Sequence, residues 1–332
     1  MTPYFLVFGW FLAICLVLET TGSHRSLTRT ERWLLLLPLA VFSIMYAGRI
    51  GTDVESYREL FDQAEQFPLE PGFSMLMIAA KWLGLNYTSF TRVLAAVQIL
   101  LLGSVVMRLR DPLFFLLFYF SSFFLNFQFN AIRNSLALLV VAAMYVRLLQ
   151  PRFSTLLAST VIHYSSLITL GLQRLALSRR QWLVIALVIV ASCGVSLIWL
   201  QPDLLGPQFS ELFVYRGYLD QEYESKTVYP ALLLKLAVVW LLYRNGGNRF
   251  YMAAYAVLVI LIHAISPVLS RLSDLVLFLT ALDFCLRHRL ERRRLLAIGL
   301  TLTLVASSLL IPWSDCQEGG GENWCLSGPG SR

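Results

Sequence analysis

The sequence contains little charge for its length. Asp, Glu, Lys and Arg together make up 14% of its 332 residues, whereas 57% are hydrophobic, and the mean hydropathy is +0.66. A soluble domain carries roughly a quarter charged residues, so the missing charge indicates a solvent that penalises it. No polar stretch is long enough to fold separately. The composition excludes a soluble globular protein and predicts an all-α, polytopic integral membrane protein.

Motifs for metals, nucleotides and nucleic acids are also missing. Cys and His do not occur at zinc-ligand spacing, no glycine-rich phosphate loop is present, and the outer loops contain no Asp-x-Asp motif. The net charge of +7 reflects arginines that cluster in short loops between apolar segments, rather than one basic face. We therefore expect no metal, no cofactor and no nucleic-acid partner, and we interpret the basic residues as topology signals.

The five cysteines fall into two groups. Cys15, Cys193 and Cys285 lie inside apolar segments and are expected to be small core residues. Cys316 and Cys325 lie in a polar, glycine-rich tail at residues 313–332, which we expect to be extracytoplasmic. In that location the two could form a disulfide that closes a short loop.

The chain before this tail is apolar from end to end, which predicts a single transmembrane domain over residues 1–312. A complete crossing needs about 20 apolar residues, and several segments, notably Phe73–Leu85, are shorter. We expect about 10–12 transmembrane helices with one or two re-entrant or broken segments, and a first helix that is retained rather than cleaved. The segments are Tyr4–Leu18, Trp33–Tyr46, Phe73–Leu85, Phe90–Val106, Leu113–Phe127, Ala131–Leu149, Phe153–Leu172, Trp182–Leu200, Tyr229–Tyr243, Phe250–Ser266, Leu272–Leu286 and Leu295–Ile311.

Lys and Arg in short loops predict the orientation of these segments. The loop Thr20–Arg32 carries three arginines and is expected inside. The acidic loop 47–71, the loop 201–228 and the tail are expected outside. Simple alternation of twelve crossings would place four later arginines outside, against the charge rule. These are Arg108, Arg110, Arg147 and Arg152.

A different arrangement satisfies the charge rule everywhere. If Phe73–Leu85 is re-entrant and Phe153–Leu172 is broken near its middle, the four arginines move inside. The polar stretch Asn126–Arg133 and His163 then both face outside. We prefer this arrangement because it brings the unusual polar groups to one face of the membrane.

Arg133 is the most informative ionisable residue, because a charge inside an apolar segment is costly and indicates function. On an α-helix, Asn126, Asn130 and Arg133 stand at i, i+4 and i+7 and form one polar face. A guanidinium beside carboxamides suits a phosphate or pyrophosphate, because its fork donates two parallel hydrogen bonds. A helix-end arginine that reaches the interface and pairs with an acidic residue fits the same spacing, so both interpretations stay open.

His163 lies in the middle of an apolar segment, with Ser159 and Ser166 on the same helical face. An imidazole titrates near neutral pH and can act as a general base when it is neutral. A histidine that hydrogen-bonds between helices is the commoner arrangement, and the residue pattern alone favours that structural role.

Arg271 and Asp274 stand at i and i+3, shortly after the helix-breaking Pro267. One interpretation is a local ion pair on one helix. The other places Arg271 beside Arg133 as a second phosphate clamp, with Asp274 holding it in position.

Further ionisable residues carry a similar ambiguity. Glu70 immediately precedes Pro71-Gly72 and is either a base at a helix entrance or part of an interfacial turn. Asp53 and Tyr57, four residues apart, share this ambiguity. His263 and Asp283 lie within apolar segments and are interpreted as structural.

Several short motifs, taken in order, resemble the EpsG family of bacterial membrane proteins. The acidic loop with Asp53 and Tyr57, followed by the sequence EPGF at 70–73, resembles the start of that family. The sequence FNAIRNSLA at 129–137 resembles its aromatic-rich IRQS-A motif, with Asn134 in place of Gln. The sequence IHYSSLI at 162–168 resembles its FHYSALI motif, with two departures. Arg271 matches a later basic position, although the aromatic pair expected soon after it is missing.

This resemblance, over roughly residues 43–286, implies a role similar to Wzy-type polymerases of exopolysaccharide, capsule and O-antigen. Such an enzyme moves a growing glycan from an undecaprenyl-diphosphate carrier onto a new lipid-linked repeat unit, at the outer face of the bacterial cytoplasmic membrane. A flippase and a chain-length regulator are the expected partners. The implied roles are diphosphate binding by Arg133 and Arg271, general base for His163 or Glu70, and substrate binding by Asp53, Tyr57, Asn130, Asn134 and Asp274.

Three other functions fit the same composition. A flippase or transporter of lipid-linked sugar also needs cations in a membrane cavity, but the sequence shows no internal duplication of the kind common in transporters. A membrane glycosyltransferase or O-antigen ligase would use the same donor with a different acceptor. A scaffold without enzymatic activity would leave the arginines inside apolar segments unexplained.

Overall fold

A computed structural model describes residues 27–49, 51, 54–64, 71–124, 126–148, 225–264 and 270–290, together with isolated helical positions between 9 and 17. The regular secondary structure among these residues is helical, with no strand. The chain divides into two compact units, one of Met1–Leu170 with Cys285–Arg332 and one of Gly171–Phe284. The helices are α1 (Arg29–Tyr46), α2 (Val54–Asp62), α3 (Pro71–Trp82), α4 (Tyr87–Val106), α5 (Pro112–Tyr119), α6 (Ile132–Leu148), α7 (Ser225–Arg244), α8 (Arg249–Ala264) and α9 (Ser270–Arg287).

Helix α1 begins four residues before the apolar segment that predicts it, because Thr28 caps it. The Thr28 hydroxyl accepts the Glu31 N–H at 3.3 Å, and the Glu31 carboxylate accepts the Thr28 N–H at 2.6 Å. This reciprocal capping box satisfies two backbone donors that a helix start leaves open.

Helices α1 and α4 pack side by side in opposite directions. At one end, Arg32 Nη1 donates to the carbonyl oxygens of Val106 and Leu109, at 2.8 and 3.1 Å, and so covers the C-terminus of α4. At the other end, the chain leaving α1 passes over the first turn of α4 at Gly48, whose φ is +68°. Two contacts at opposite ends fix the relative height of the helices.

One face of α1 and one face of α4 expose apolar side chains. On α1, Leu34, Leu37 and Met45 are each more than half exposed, although the opposite face is buried. On α4 the exposed apolar positions recur with the same helical spacing. They are Val93, Val97 and Leu100.

Helix α4 is the one described helix that is long and apolar enough to cross a membrane, judged by length and composition. The apolar stretches Pro112–Phe124 and Arg249–Val259 are shorter. Helix α3 has 12 residues and spans about 18 Å, against a hydrocarbon core of about 30 Å. The all-α expectation is confirmed for the described residues, whereas the number of crossings stays a prediction.

The segment Leu113–Phe127 is not one continuous α-helix. Helix α5 gives way to two π-helical turns, π1 (Phe120–Phe124) and π2 (Asn126–Asn130), and α6 begins only at Ile132. Aromatic rings fill the space around these turns. Phe124 and Phe129 meet edge to face at 5.9 Å between centroids, and Phe42 of α1 lies 5.8 Å from each. Tightly packed rings on several sides stabilise a backbone geometry that is uncommon in isolation.

The start of α5 is bound to residues 285–290, at the end of α9 and just after it. The Asp111 carboxylate accepts N–H groups from Phe114 and Leu290, at 3.2 and 3.0 Å, and the Cys285 carbonyl accepts the N–H groups of Arg110 and Asp111. Burial raises the pKa of Asp111 above its ordinary value, while the two N–H donors oppose that rise. Cys285 is fully buried, which confirms its expected place in the core.

In the second unit, α7 and α8 form a hairpin around a tight turn. Gly246, with φ of +101°, follows α7, and the Asn248 carboxamide oxygen accepts the Phe250 N–H at 2.9 Å at the start of α8. The Arg244 guanidinium lies 5.3 Å from the ring centroid of Trp240. The hairpin brings α7 and α8 into contact.

The loop 47–71 contains a helix that the apolar segments do not predict. This helix is α2, with Val54, Tyr57 and Phe61 buried on one side. Its charged residues lie between these apolar positions, so the stretch is not an apolar segment although its apolar residues stand at helical spacing. Several predictions fall outside the described residues. They concern the segments 153–172, 182–200 and 295–311, the loop 201–228 as far as residue 224, and the tail with Cys316 and Cys325.

Candidate functional site

Arg133 lies in the first turn of α6, and its side chain is half-buried. Its Nε donates to the hydroxyl of Tyr57 at 3.4 Å. Its Cζ lies 5.3 Å from the ring centroid of Tyr57 and 6.0 Å from that of Phe73. Both distances allow attraction between the cation and the face of the ring. Two aromatic side chains from α2 and α3 therefore hold the guanidinium.

A wider aromatic cluster holds those two rings in place. Tyr57 and Phe73 are both buried and lie 6.3 Å apart, edge to face. Phe73 also packs on Phe90 of α4 at 6.0 Å, and Phe61 of α2 lies 5.2 Å from Phe90. Rings packed in this way have little freedom to rotate, so the surface presented to Arg133 is fixed before any ligand binds.

The backbone beside Arg133 is fixed by a buried carboxamide. Gln98 of α4 is 1% exposed, and its Nε2 donates to the carbonyl oxygen of Ile132 at 3.1 Å. The carbonyl belongs to the residue immediately before Arg133. A buried hydrogen bond of this kind is costly to break, so it holds the first turn of α6 against α4.

Contacts along α4 also indicate where the guanidinium lies. Gln98 holds the start of α6, whereas Phe90, which is eight residues nearer the start of α4, packs against the ring of Phe73 under the guanidinium. Eight residues of α-helix rise about 12 Å. The Arg133 side chain therefore extends from the middle of α4 toward its first turn.

The asparagines expected beside Arg133 have a different backbone context. Asn126 and Asn130 are the first and last residues of the turn π2, and a bend at Ala131 separates that turn from α6. The spacing i, i+4, i+7 on one α-helical face therefore does not apply to these three residues, and that geometric prediction is wrong. Asn134 follows Arg133 in α6 and is half-buried.

Asp274 has a partner that the sequence interpretation missed. Its Oδ1 accepts a hydrogen bond from Lys235 Nζ at 2.6 Å, and the two side chains are 13% and 8% exposed. Lys235 lies in the interior of α7, so the pair joins α7 to α9. The sequence does single out Lys235 as a candidate, because it is the one charged residue within the apolar segment Tyr229–Tyr243.

Other predicted site residues lie outside the described part of the chain. Asp53, Glu70 and His163 are among these, and for Arg271 and Asn130 the description covers the helical backbone alone. The described residues contain no cluster of three or more His, Cys, Asp or Glu side chains that could hold a metal ion. Of the predicted site residues, the structure brings together Arg133 and Tyr57, which are 76 positions apart in sequence.

The chemistry of the Arg133 guanidinium determines what this site can bind. A guanidinium stays charged at any physiological pH, and its planar fork matches the oxygens of a phosphate. Aromatic packing from Tyr57 and Phe73 orients the guanidinium. The position is thus suited to stabilise negative charge on a bound phosphate or diphosphate.

Comparison with known proteins places the chain in a family. No curated protein and no solved structure matches the chain. The model of the EpsG family matches residues 32–319, which is most of the chain and includes α2, the aromatic cluster, Arg133 and the Lys235–Asp274 pair. Members of the EpsG family are membrane-associated and are linked to polysaccharide biosynthesis, and the chain belongs to this family.

Proposed function

We propose that the chain is a polymerase of undecaprenyl-diphosphate-linked oligosaccharide repeat units. In this proposal it is a polytopic protein of the bacterial inner membrane, with about 10–12 crossings and a site that faces the periplasm. Its product is the growing glycan of an exopolysaccharide, a capsule or an O-antigen. Family membership supports the general role in polysaccharide synthesis, and Arg133 in its aromatic cluster is the observation that carries the specific one.

The outward faces of α1 and α4 support the membrane part of the proposal. Leu34, Leu37 and Met45 form one exposed apolar stripe, and Val93, Val97 and Leu100 form another. A soluble monomer rarely exposes large contiguous apolar patches. In lipid such faces are favourable, and the backbone groups beneath them are satisfied within the helices.

The reaction needs stabilisation of a leaving group that carries two phosphates. The acceptor hydroxyl attacks the anomeric carbon of the donor sugar, the bond from that carbon to the diphosphate oxygen breaks, and the hydroxyl proton passes to a base. Negative charge then develops on the carrier diphosphate. Arg133 stabilises that charge, and Tyr57 keeps the guanidinium in place. The glycosyl diphosphate already stores the required energy, so the reaction uses no nucleotide or metal.

The remaining roles follow the family resemblance. Arg271 supplies a second positive charge to the diphosphate. His163 accepts the proton, with Glu70 as the second choice of base. Three residues bind the sugar and carrier through polar side chains, and the substrate reaches them from a flippase, while a chain-length regulator limits the product. These residues are Asp53, Asn130 and Asn134.

Substitution of Arg133 in reconstituted protein tests the proposal. We expect Arg133→Ala to lower polymerisation of lipid-linked repeat units by at least about a hundredfold, because developing charge loses its main donor. Arg133→Lys should recover a fraction of the rate, since a point charge lacks the fork. Chain length on gels and the mass of the lipid-linked product are the measurements.

Arg58 supplies a matched control. Its guanidinium also lies over a tyrosine, 5.7 Å from the Tyr87 ring centroid, but it pairs with Glu55 at the surface. Arg58→Ala should change the rate by no more than about twofold. An Arg133→Ala protein that polymerises at the wild-type rate contradicts the proposal. Transfer to an acceptor that is not lipid-linked would identify a ligase, and translocation without a covalent product would identify a transporter.

A further inference from the structure

The pair Lys235–Asp274 is an unusual feature of the second unit. Lys235 lies ten residues from the start of the 20-residue helix α7, and its neighbours in sequence are apolar. Its Nζ approaches Asp274 Oδ1 to 2.6 Å, and both side chains are nearly buried. A full charge in the interior of an apolar helix therefore has one short, directional contact with another helix.

Stability alone does not account for this pair. Two charges lose their hydration when they are buried, and their attraction only offsets that loss when the geometry is good. Two apolar side chains of similar size would join α7 and α9 at least as well. Buried polar contacts differ from apolar ones in specifying a unique alignment of two helices, because the bond forms in one register.

The pair lies one helical turn from Arg271. Helix α9 begins at Ser270, so Arg271 and Asp274 are both within its first turns, three residues apart on one side of the helix. A slip of α9 by one residue would rotate this turn by about 100° and shift it by about 1.5 Å. The bond to Lys235 prevents that slip.

A third helix packs against the same turn. Tyr255 of α8 is fully buried, and its phenol lies near Ser273 and Asp274. Ser273 is also fully buried. The start of α9 thus meets an ammonium from α7, which donates to Asp274, and a buried phenol from α8. Contacts from two helices restrict both the rotation and the height of the first turns of α9.

We infer that Lys235 is a positioning residue that sets the direction in which α9 presents Arg271 to the carrier diphosphate. The inference deepens the proposed function, because it depends on Arg271 for its effect on the reaction. Lys235 itself does not contact the substrate in this scheme. It binds the carboxylate of Asp274 and thereby fixes the first turn of α9 relative to α7.

Four variants separate positioning from simple stability. Lys235→Met and Asp274→Leu each leave one buried charge without its partner, and we expect both to lower thermal stability in detergent. The double variant K235M/D274L should regain stability, because no charge remains unpaired. It should still polymerise with a kcat about tenfold below wild type, since the helices are joined without a fixed register. Lys235→Arg keeps the ion pair and should restore kcat to within about twofold.

A measurement that does not depend on activity accompanies the kinetics. In a background without the five natural cysteines, Arg271→Cys reports the exposure of that position to a thiol reagent. We expect K235M/D274L to change the labelling rate by at least about threefold and Lys235→Arg to leave it unchanged. Thr280→Val is the control, because it removes a buried side-chain hydrogen bond farther along α9 and should leave the labelling rate unchanged.

The outcomes are distinct. Wild-type labelling and wild-type kcat in the double variant would overturn the inference and leave the pair as a packing contact. Altered labelling in the double variant, with recovery in Lys235→Arg, supports it. If the wild-type protein does not polymerise lipid-linked repeats, the proposed function fails, and the labelling rates still decide whether Lys235 positions this turn.

Discussion

The contact between Tyr57 and Arg133 makes a quantitative prediction. Tyr57→Phe removes one hydrogen bond to the guanidinium and keeps the ring, whereas Tyr57→Leu removes both. The hydrogen bond is long, at 3.4 Å between Nε and the hydroxyl oxygen, and the ring centroid lies 5.3 Å from Cζ. The two variants therefore separate the contribution of the hydroxyl from that of the aromatic face.

The geometry of the two contacts indicates how much free energy the hydroxyl and the ring each contribute. A hydrogen bond from a charged donor contributes about 1.5–3 kcal/mol at ordinary length, and the 3.4 Å separation here lowers that contribution to about 0.5 kcal/mol. A half-buried cation over a ring contributes about 1 kcal/mol. Tyr57→Phe should therefore lower kcat/KM about twofold, and Tyr57→Leu, which loses about 1.5 kcal/mol, should lower it about tenfold.

Kinetics of polymerisation in proteoliposomes measure these losses, and thermal unfolding in detergent checks that the protein remains folded. Binding of undecaprenyl diphosphate supplies the coupling test. Tyr57→Leu should weaken binding in the wild type but have no further effect in an Arg133→Ala background, because it acts through that guanidinium. Equal weakening in both backgrounds, or a Tyr57→Leu protein as active as wild type, would refute the reasoning.

Two further predictions concern stability. Gly48→Ala should lower the free energy of unfolding by about 2–4 kcal/mol, because a Cβ there is strained at φ +68° and would lie 2.5 Å from Thr91 Oγ1. Gly84→Ala, with φ of +72° and open space around it, should cost only about 1–2 kcal/mol, and equal losses in thermal or denaturant unfolding would contradict this account. The raised pKa of Asp111 means that the folded state binds its proton more tightly than the unfolded chain. Stability should therefore fall as the pH rises from its ordinary pKa of 3.8 through the raised value, and Asp111→Asn should flatten this slope in unfolding measurements from about pH 4 to about pH 7.

Apolar runs predict most of the described helices well. The segments Phe90–Val106 and Ala131–Leu149 correspond to α4 and α6 within three residues at each end. Agreement is good because hydropathy reports burial in protein or lipid, and a long apolar run has few alternatives to a helix. The observed helix ends differ from the predicted ones where a capping residue such as Thr28 extends a helix beyond its apolar part.

Local backbone geometry was harder to predict. The π-helical turns follow from how Phe42, Phe124 and Phe129 pack, and these residues come from distant parts of the chain. A run of aromatic residues has no periodicity that separates a π turn from an α turn. In α2, by contrast, Val54, Tyr57 and Phe61 stand at helical spacing, so its periodicity could have been read from the sequence.

The candidate site was predictable as residues but not as an arrangement. Arg133 stands out because a charge in an apolar segment is rare. Its contact with Tyr57 depends on how α2 and α6 pack, and sequence spacing contains no information on that. Lys235 carried the same signal as Arg133, whereas its pairing with Asp274 required the structure.

The π turns before α6 also affect how insertions and deletions act on the chain. A π turn holds one more residue than the α turn it replaces. Loss of one residue at either π turn would let that turn relax into an α turn, and the residues after it would keep their angular positions. Gain of one residue in the same stretch would instead rotate everything after it by about 100°. Arg133 would then turn away from its aromatic partners although none of them had changed. The site should thus tolerate a deletion at these turns better than an insertion.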